Sequence, residues 1–291
     1  MGSSQNSEIM GVAIVDKEVG WTSHDVVARA RKIIGVRKIG HSGTLDPDAT
    51  GVLVLGVGRA TRILRFLNAL SKSYTAQIVF GVETSTLDAS GEVTARHDMS
   101  YMEFDDVKNA ASELVGEIEQ VPPMVSAVRV GGRRLYEIAR EGGVVERQSR
   151  PVTVHRLEVR PTEDSVVYEI VVECSSGTYI RTLASDLGHK LGGGAHLRHL
   201  RRTAIGSFTV RESKSVENLT LLPASLALRD FSAITVDERT ASEVSHGVVF
   251  DYERLEVSGN GPWPVHGPDG SLLAVYEEHN GRVKPVVVLA G

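Results

Sequence analysis

Hydrophobic and polar positions alternate most regularly over 73–81, where Tyr74, Ala76, Ile78 and Phe80 interleave with Ser73, Thr75 and Gln77. That period of two predicts a strand with one buried face, and it turns Tyr74 inward. Residues 11–16 (GVAIVD) and 52–57 are short apolar runs that predict buried strands. Val26, Val27, Ala30, Ile33 and Ile34 share one helical face, so a helix is predicted from Ser23, as its N-cap, to Ile34. The spacing predicts further helices over 59–70, 104–118, 136–141 and 179–191, the second ended by Pro122-Pro123 and the last by Gly192-Gly193-Gly194. Residues 152–159 and 166–174 read as paired strands, 126–135 as a hairpin-like turn, and 196–210 as an extended segment. Beyond about residue 228 the texture changes to short strands, 234–236, 272–276 and 283–289, separated by Gly and Pro turns. Helices and strands mix without regular βαβ alternation, which predicts an α+β fold with domains at 1–228 and 229–291.

Composition narrows the class. With 291 residues, 41% hydrophobic and 24% charged, the chain suits a globular protein of about two domains. No apolar run reaches the roughly 18 residues of a membrane span. The first ten residues lack the basic start and apolar stretch of a secretory signal, and Asn6 stands where a myristoylation signal requires Ser or Thr. The expectation is a cytoplasmic protein with no membrane contact. A single cysteine, Cys174 at the end of an apolar strand, offers neither an internal disulfide nor a multi-thiolate zinc site. The net charge of −5 is uneven: residues 212–291 hold six Lys and Arg against twelve Asp and Glu, whereas 27–65 hold eight against Asp46 and Asp48 alone. The basic stretch suits either a polyanion or a solvated helix face.

The segment richest in chemistry is 40–53, GHSGTLDPDATGVL. Asp46-Pro47 starts a turn, and Gly43 and Gly51 permit tight backbone paths. A calcium loop would begin at Asp46 and Asp48 but needs a bidentate Glu where Val57 stands. A phosphate loop would need Gly-Lys-Ser/Thr after the glycines. His196 and His199 lack a third metal ligand within reach in the sequence, and Asp46 and Asp48 are too close in the chain for an opposed glycosidase pair. One carboxylate in a glycine-flanked loop beside positive charge remains. Local chemistry leaves Asp46 open between turn former and catalyst.

Residues 41–53 resemble the signature H-x-G-T/A-L-D-P-x-A-x-G-V/M-L of the TruB family of tRNA pseudouridine synthases. Four further segments follow in the family's order: Lys17, Gly20 and Thr22-Ser23; Ser71-Lys72-Ser73-Tyr74; Gly177-Thr178-Tyr179-Ile180-Arg181; and Gly194-Ala195-His196 through Leu200-Arg201-Arg202. The resemblance runs from about residue 11 to 211. Glu18 departs from it, standing where the family usually has Pro. It implies a pseudouridine synthase fold with a central mixed, largely antiparallel sheet and a small C-terminal β-rich, PUA-like domain. Its implied activity is isomerisation of uridine-55 to pseudouridine in the T loop of tRNA, with neither cofactor nor metal. Its implied partner is the T-stem loop of tRNA, bound by a monomer that needs no protein partner. In the acidic tail, the length fits the family's RNA-touching domain and the charge does not.

The same resemblance implies roles. Asp46 is the catalytic aspartate, acting either as nucleophile on the sugar or base or by promoting glycosidic cleavage, and Arg181 is the cation that keeps it ionised. Tyr74 stacks on the target uracil and receives or relays its C5 proton. Tyr179 and Leu200 form apolar walls that exclude water, and His41 fills the space left by the flipped base. Lys17 braces the loop. Arg201 and Arg202, with the 27–65 cluster and the eight arginines of 126–160, are the expected phosphate contacts.

Overall fold

Why strands and helices fall where they do is visible first in the local chemistry of the helix that precedes the candidate loop. Thr22 and Asp25 form a reciprocal capping box, Asp25 N donating to Thr22 Oγ1 at 3.1 Å and Thr22 N to Asp25 Oδ2 at 2.9 Å. The N-cap is therefore Thr22 and not Ser23, whose hydroxyl is used elsewhere. Gly35 closes the helix in the left-handed region, its N–H donating to the Arg31 carbonyl.

The structure, a computed structural model, describes residues 9–126 and 128–290. Asn6, and Ala127 within the predicted 126–135 turn, lie outside the described residues. In chain order the elements that bear on the site are β1 (Gly11–Lys17), α1 (Ser23–Ile34), β2 (Ile39–Ser42), β3 (Thr50–Val57), α2 (Leu64–Ala69), β4 (Lys72–Phe80), α3 (Phe104–Ser112), β5 (Gly116–Gln120), β6 (Arg150–Pro161), β7 (Val167–Cys174), α4 (Ile180–Lys190), β8 (Ala195–Ile205), β9 (Trp263–His266), β10 (Leu272–His279) and β11 (Arg282–Val288). Among the described residues no helix is long and apolar enough to cross a membrane.

The chain divides into two compact units, one holding the described residues up to Pro47 with 51–70 and 205 onward, the other holding 48–50 and 71–204. In the first, β3 pairs antiparallel with β1 on one side and with β2 on the other. Val26, Val27 and Ala30 of α1 pack on Ala13, Val15, Leu53 and Leu55 with Ile34 at the edge, while Ile33, placed on the same face by the sequence spacing, is exposed. The C-terminal strands β9, β10 and β11 form an antiparallel sheet, and Leu272, Val275, Val287 and Leu289 share one core with Val12, Ile14, Phe66 and Leu67. In the second unit the strand order is β8-β4-β7-β6-β5. Tyr74, Ala76, Ile78 and Phe80 face its core with Leu183, Ala184 and Leu187 of α4, so the alternation of β4 is realised with Tyr74 inward.

Two predicted helices are shorter than their patterns. The 59–70 stretch begins as a 3-10 turn, Gly58–Arg62, before α2. The 104–118 stretch ends at Ser112, because Gly116 adopts φ +107°, and Ile118 then pairs with Val152 of β6. Residues that suit a helix by spacing are taken by a neighbouring strand that offers a full ladder. In α4, Gly188 marks a close approach: a Cβ there would lie 2.6 Å from the Ala195 nitrogen. Gly188→Ala should cost about 1–3 kcal/mol, read from the midpoint of urea unfolding.

Candidate active site

The loop that carries Asp46 is held by its backbone on both sides of the aspartate. Ser23, released from capping, accepts from Leu45 N at 2.9 Å and donates to Leu45 O at 3.2 Å. Pro47 O accepts from Gly20 N at 2.9 Å and from Lys17 Nζ at 3.1 Å. The Lys17 ammonium is only 1% exposed and also donates to the carbonyls of Trp21 and Glu18. Lys17 thus ties the loop at Pro47 to the backbone of Glu18 and Trp21. Gly43, at φ +77°, makes the turn that lets Leu45 bury while Asp46 stays half-exposed. His41 lies at the end of β2, half-buried, its ring edge-on to His24 with centroids 5.6 Å apart. These residues, with Asp46, His41 and Lys17, belong to the first unit.

The second unit carries the other candidates. Tyr74 (8% exposed) and Lys72 lie on the same buried face of β4. On the adjacent strand β8, Arg201 and Arg202 differ: Arg201 is half-buried and donates to Thr50 Oγ1 at 3.3 Å, whereas Arg202 is 2% exposed. Burial corrects the expectation that Arg202 is a phosphate contact. Leu200 is half-buried against the core that contains Tyr74. Just before it, His199 adopts φ +55°, a left-handed residue within β8.

Tyr179 precedes α4, and its main chain is clasped by the buried Gln120, which accepts from Tyr179 N at 2.9 Å and donates to Tyr179 O at 3.2 Å. The Arg150 guanidinium lies 4.8 Å from the Tyr179 ring centroid. Arg181, in the first turn of α4, is 6% exposed. Its guanidinium pairs with Asp88 Oδ2 at 3.1 Å and donates to Thr86 O at 3.1 Å and Val125 O at 2.8 Å. Asp88 is a carboxylate that sequence reasoning passed over. Its only local signal was the polar turn Ser85–Ser90, where Asp88 accepts from Thr86 and Ser90 hydroxyls at 2.6 Å each.

Lys72 is the other residue missed, although it lies inside a quoted motif. Burial, then the nearby Arg202 charge, lowers its ammonium from the ordinary 10.5 to about 8. Burial pushes the Cys174 thiol the other way, to about 11. Between pH 8 and 10.5 the unfolded chain binds the Lys72 proton more than the folded chain does, so this group's contribution to stability rises with pH across that window. Below pH 8 its burial cost is fully present. Lys72→Met should flatten the rise in urea midpoint between pH 7 and pH 9, read against a Cys174→Ala background because the unfolded thiol begins to titrate near 9.

The comparisons with known proteins agree along the chain. The TruB family pseudouridylate synthase N-terminal domain matches residues 31–180. The tRNA pseudouridylate synthase B C-terminal domain matches 181–232, and the C-terminal domain of tRNA pseudouridine synthase II matches 231–290. A curated relative from Thermobifida fusca, tRNA pseudouridine synthase B, is 46% identical over 97% of this chain and 99% of its own length. The tRNA pseudouridine synthase B of Symbiobacterium thermophilum is 50% identical over 85% of this chain and 86% of its own. Among solved structures, a Cbf5-Nop10-Gar1 complex matches with a TM-score of 0.72 and 25% identity, covering 95% of this chain and 83% of that one.

Proposed function

The chain belongs to the TruB family of pseudouridylate synthases, and from that membership we propose that it isomerises uridine-55 to pseudouridine in the T loop of tRNA. The single observation that carries the reading is the pinned aspartate: Asp46 stands between Leu45 and Pro47, whose backbones are fixed by Ser23, Gly20 and Lys17. A carboxylate held this way meets substrate without first being ordered.

Asp46 drives cleavage of the N1–C1′ bond of a uridine flipped out of the T loop. The uracil turns against Tyr74, with Tyr179 and Leu200 as walls, and rejoins the ribose through C5. The C5–H bond then breaks, its electrons restore the C5=C6 double bond while the N1=C6 pair returns to N1, which takes a proton from solvent, and the C5 proton leaves through the Tyr74 hydroxyl acting as a relay to solvent. Bond cleavage and reunion between the same two fragments leave redox state unchanged, so no cofactor is invoked. His41 fills the vacated stack, and Arg181, steadied by Asp88, supplies positive charge. The enzyme acts as a cytoplasmic monomer, with 229–291 as a PUA-like support domain whose apolar residues share a core with β1 and α2.

Basic residues sort into two groups. Arg59 and Arg62 donate to the carbonyls of Leu289 and Val288, Arg65 pairs with Glu277, and Arg29 pairs with Glu217. This part of the 27–65 cluster also fastens the protein to itself. Lys32, Arg37, Lys38 and Arg129 are exposed and are the better phosphate contacts. Arg62→Ala should lower stability by about 1 kcal/mol and leave the log–log salt slope of RNA binding unchanged, whereas Arg129→Ala should reduce that slope by about one.

The test is incubation of the purified chain with an unmodified tRNA transcript and with a bare T-stem loop, followed by mapping of pseudouridine. Conversion of both at one position supports the reading. Activity that appears only with an added guide RNA would replace it by a guide-dependent synthase.

A further inference from the structure

Gln120 and Arg150 stand directly opposite each other in the β5–β6 ladder, so their side chains leave the sheet on the same face. Both reach one turn, 177–179, which leads into α4 in the second unit. Gln120, 0% exposed, accepts from Tyr179 N at 2.9 Å and donates to Tyr179 O at 3.2 Å. Tyr179 is the N-cap of α4 and its own side chain makes no capping bond, so the Gln120 amide oxygen meets a backbone N–H that the helix leaves unpaired. Arg150 donates to Gly177 O, and its guanidinium lies over the Tyr179 ring, 4.8 Å from the centroid. Arg150 Nε is buried without a hydrogen-bond partner, a cost that a cation serving only as surface charge would avoid by staying in water. The turn is also tied to β6 at its start, where Ser175 N donates to Thr153 O at 2.8 Å.

We propose that Gln120 and Arg150 are a pair of positioning residues that set Tyr179 as a wall of the uracil site before substrate arrives. Gln120 fixes the main chain: an amide that bonds the N–H and the C=O of one residue stops both adjoining peptide planes from turning. Arg150 fixes the ring by covering one of its faces, which leaves the other for the detached base. Neither side chain touches the uracil. A wall already in place holds the base while it turns, and one that must first be ordered lets it wander. The inference rests on the assignment of Tyr179 to the uracil site.

The experiment combines single-turnover pseudouridine formation on a T-stem loop with amide hydrogen exchange of the free protein. The variants are Gln120→Met, Arg150→Met and Arg150→Lys, with the two methionine changes repeated in Tyr179→Phe and Tyr179→Ala backgrounds. Gln120→Met should speed exchange of the Tyr179 amide by about tenfold or more while the Leu187 amide, deeper in α4, keeps its rate; a general loss of stability would speed both. Gln120→Met and Arg150→Met should each slow turnover about tenfold with RNA affinity within about threefold. Arg150→Lys, which keeps the charge and a donor for Gly177 O, should return to within about threefold of wild type. Both methionine changes should keep their full effect in Tyr179→Phe, which retains the ring, and cost less than about twofold in Tyr179→Ala.

A folded Gln120→Met with wild-type turnover overturns the proposal, and so does an undiminished loss from either methionine change in the Tyr179→Ala background. If Gln120→Met fails to fold, Arg150→Met decides: wild-type turnover in that variant, beside a slow Tyr179→Ala, overturns the pairing. Wild-type turnover in Tyr179→Ala overturns the wall assignment itself and the proposal with it, so the two failures are distinct.

Discussion

Asp46→Asn is expected to abolish pseudouridine formation, with a loss on the order of 10⁴-fold or more, while leaving fold and RNA affinity in place. The substitution changes one atom type and removes the charge, and the contacts that shape the loop are made by the backbones of Leu45 and Pro47. Circular dichroism and thermal unfolding should match the wild type, and filter binding to a T-stem loop should change by less than about threefold. The pattern separates a synthase from a tRNA-remodelling chaperone that uses the same groove. For a chaperone, Asp46→Asn would leave the biological activity intact. Retention of pseudouridine by this variant would end the catalytic assignment of Asp46.

Arg181→Met has the second largest expected effect, and it acts on stability as well as turnover. It strips the partner from Asp88 and leaves the carbonyls of Thr86 and Val125 without their guanidinium donor. Breaking a buried pair from one side costs about 3–5 kcal/mol, because the remaining charge loses its compensation. Asp88 is partly exposed, so a value near 3 is expected, with a melting temperature lower by roughly 10 °C. Asp88→Asn in the same chain removes the orphaned charge and should restore part of that temperature. Turnover should not return with it. A double variant as active as wild type would show that the cation has no role beyond packing.

Legibility differed from residue to residue for physical reasons. The alternation of 73–81 and the apolar face of α1 report backbone period directly, so Tyr74 and Val26 were placed correctly from their neighbours in the chain. The capping box was equally local but went unread, since Thr22 and Asp25 compete with the adjacent Ser23 for the same role. The 104–118 stretch misled because a helix-compatible spacing continued through Gly116, and the β6 ladder that claims Ile118 is remote in sequence. Arg201 and Arg202 were indistinguishable as letters. Strand alternation leaves one half-buried on Thr50 and buries the other.

From order and chemistry of residues alone came the family, the strands at 11–17 and 72–80, the helix at 23–34, and the aspartate in its glycine-flanked turn, because each depends on neighbours a few positions apart. Folding alone supplied the partners of the charges: Asp88 for Arg181 across 93 residues, and terminal carbonyls for Arg59 and Arg62. A cation's role depends on which groups desolvate it and which accept its hydrogens, and those are distances through space that no linear pattern encodes.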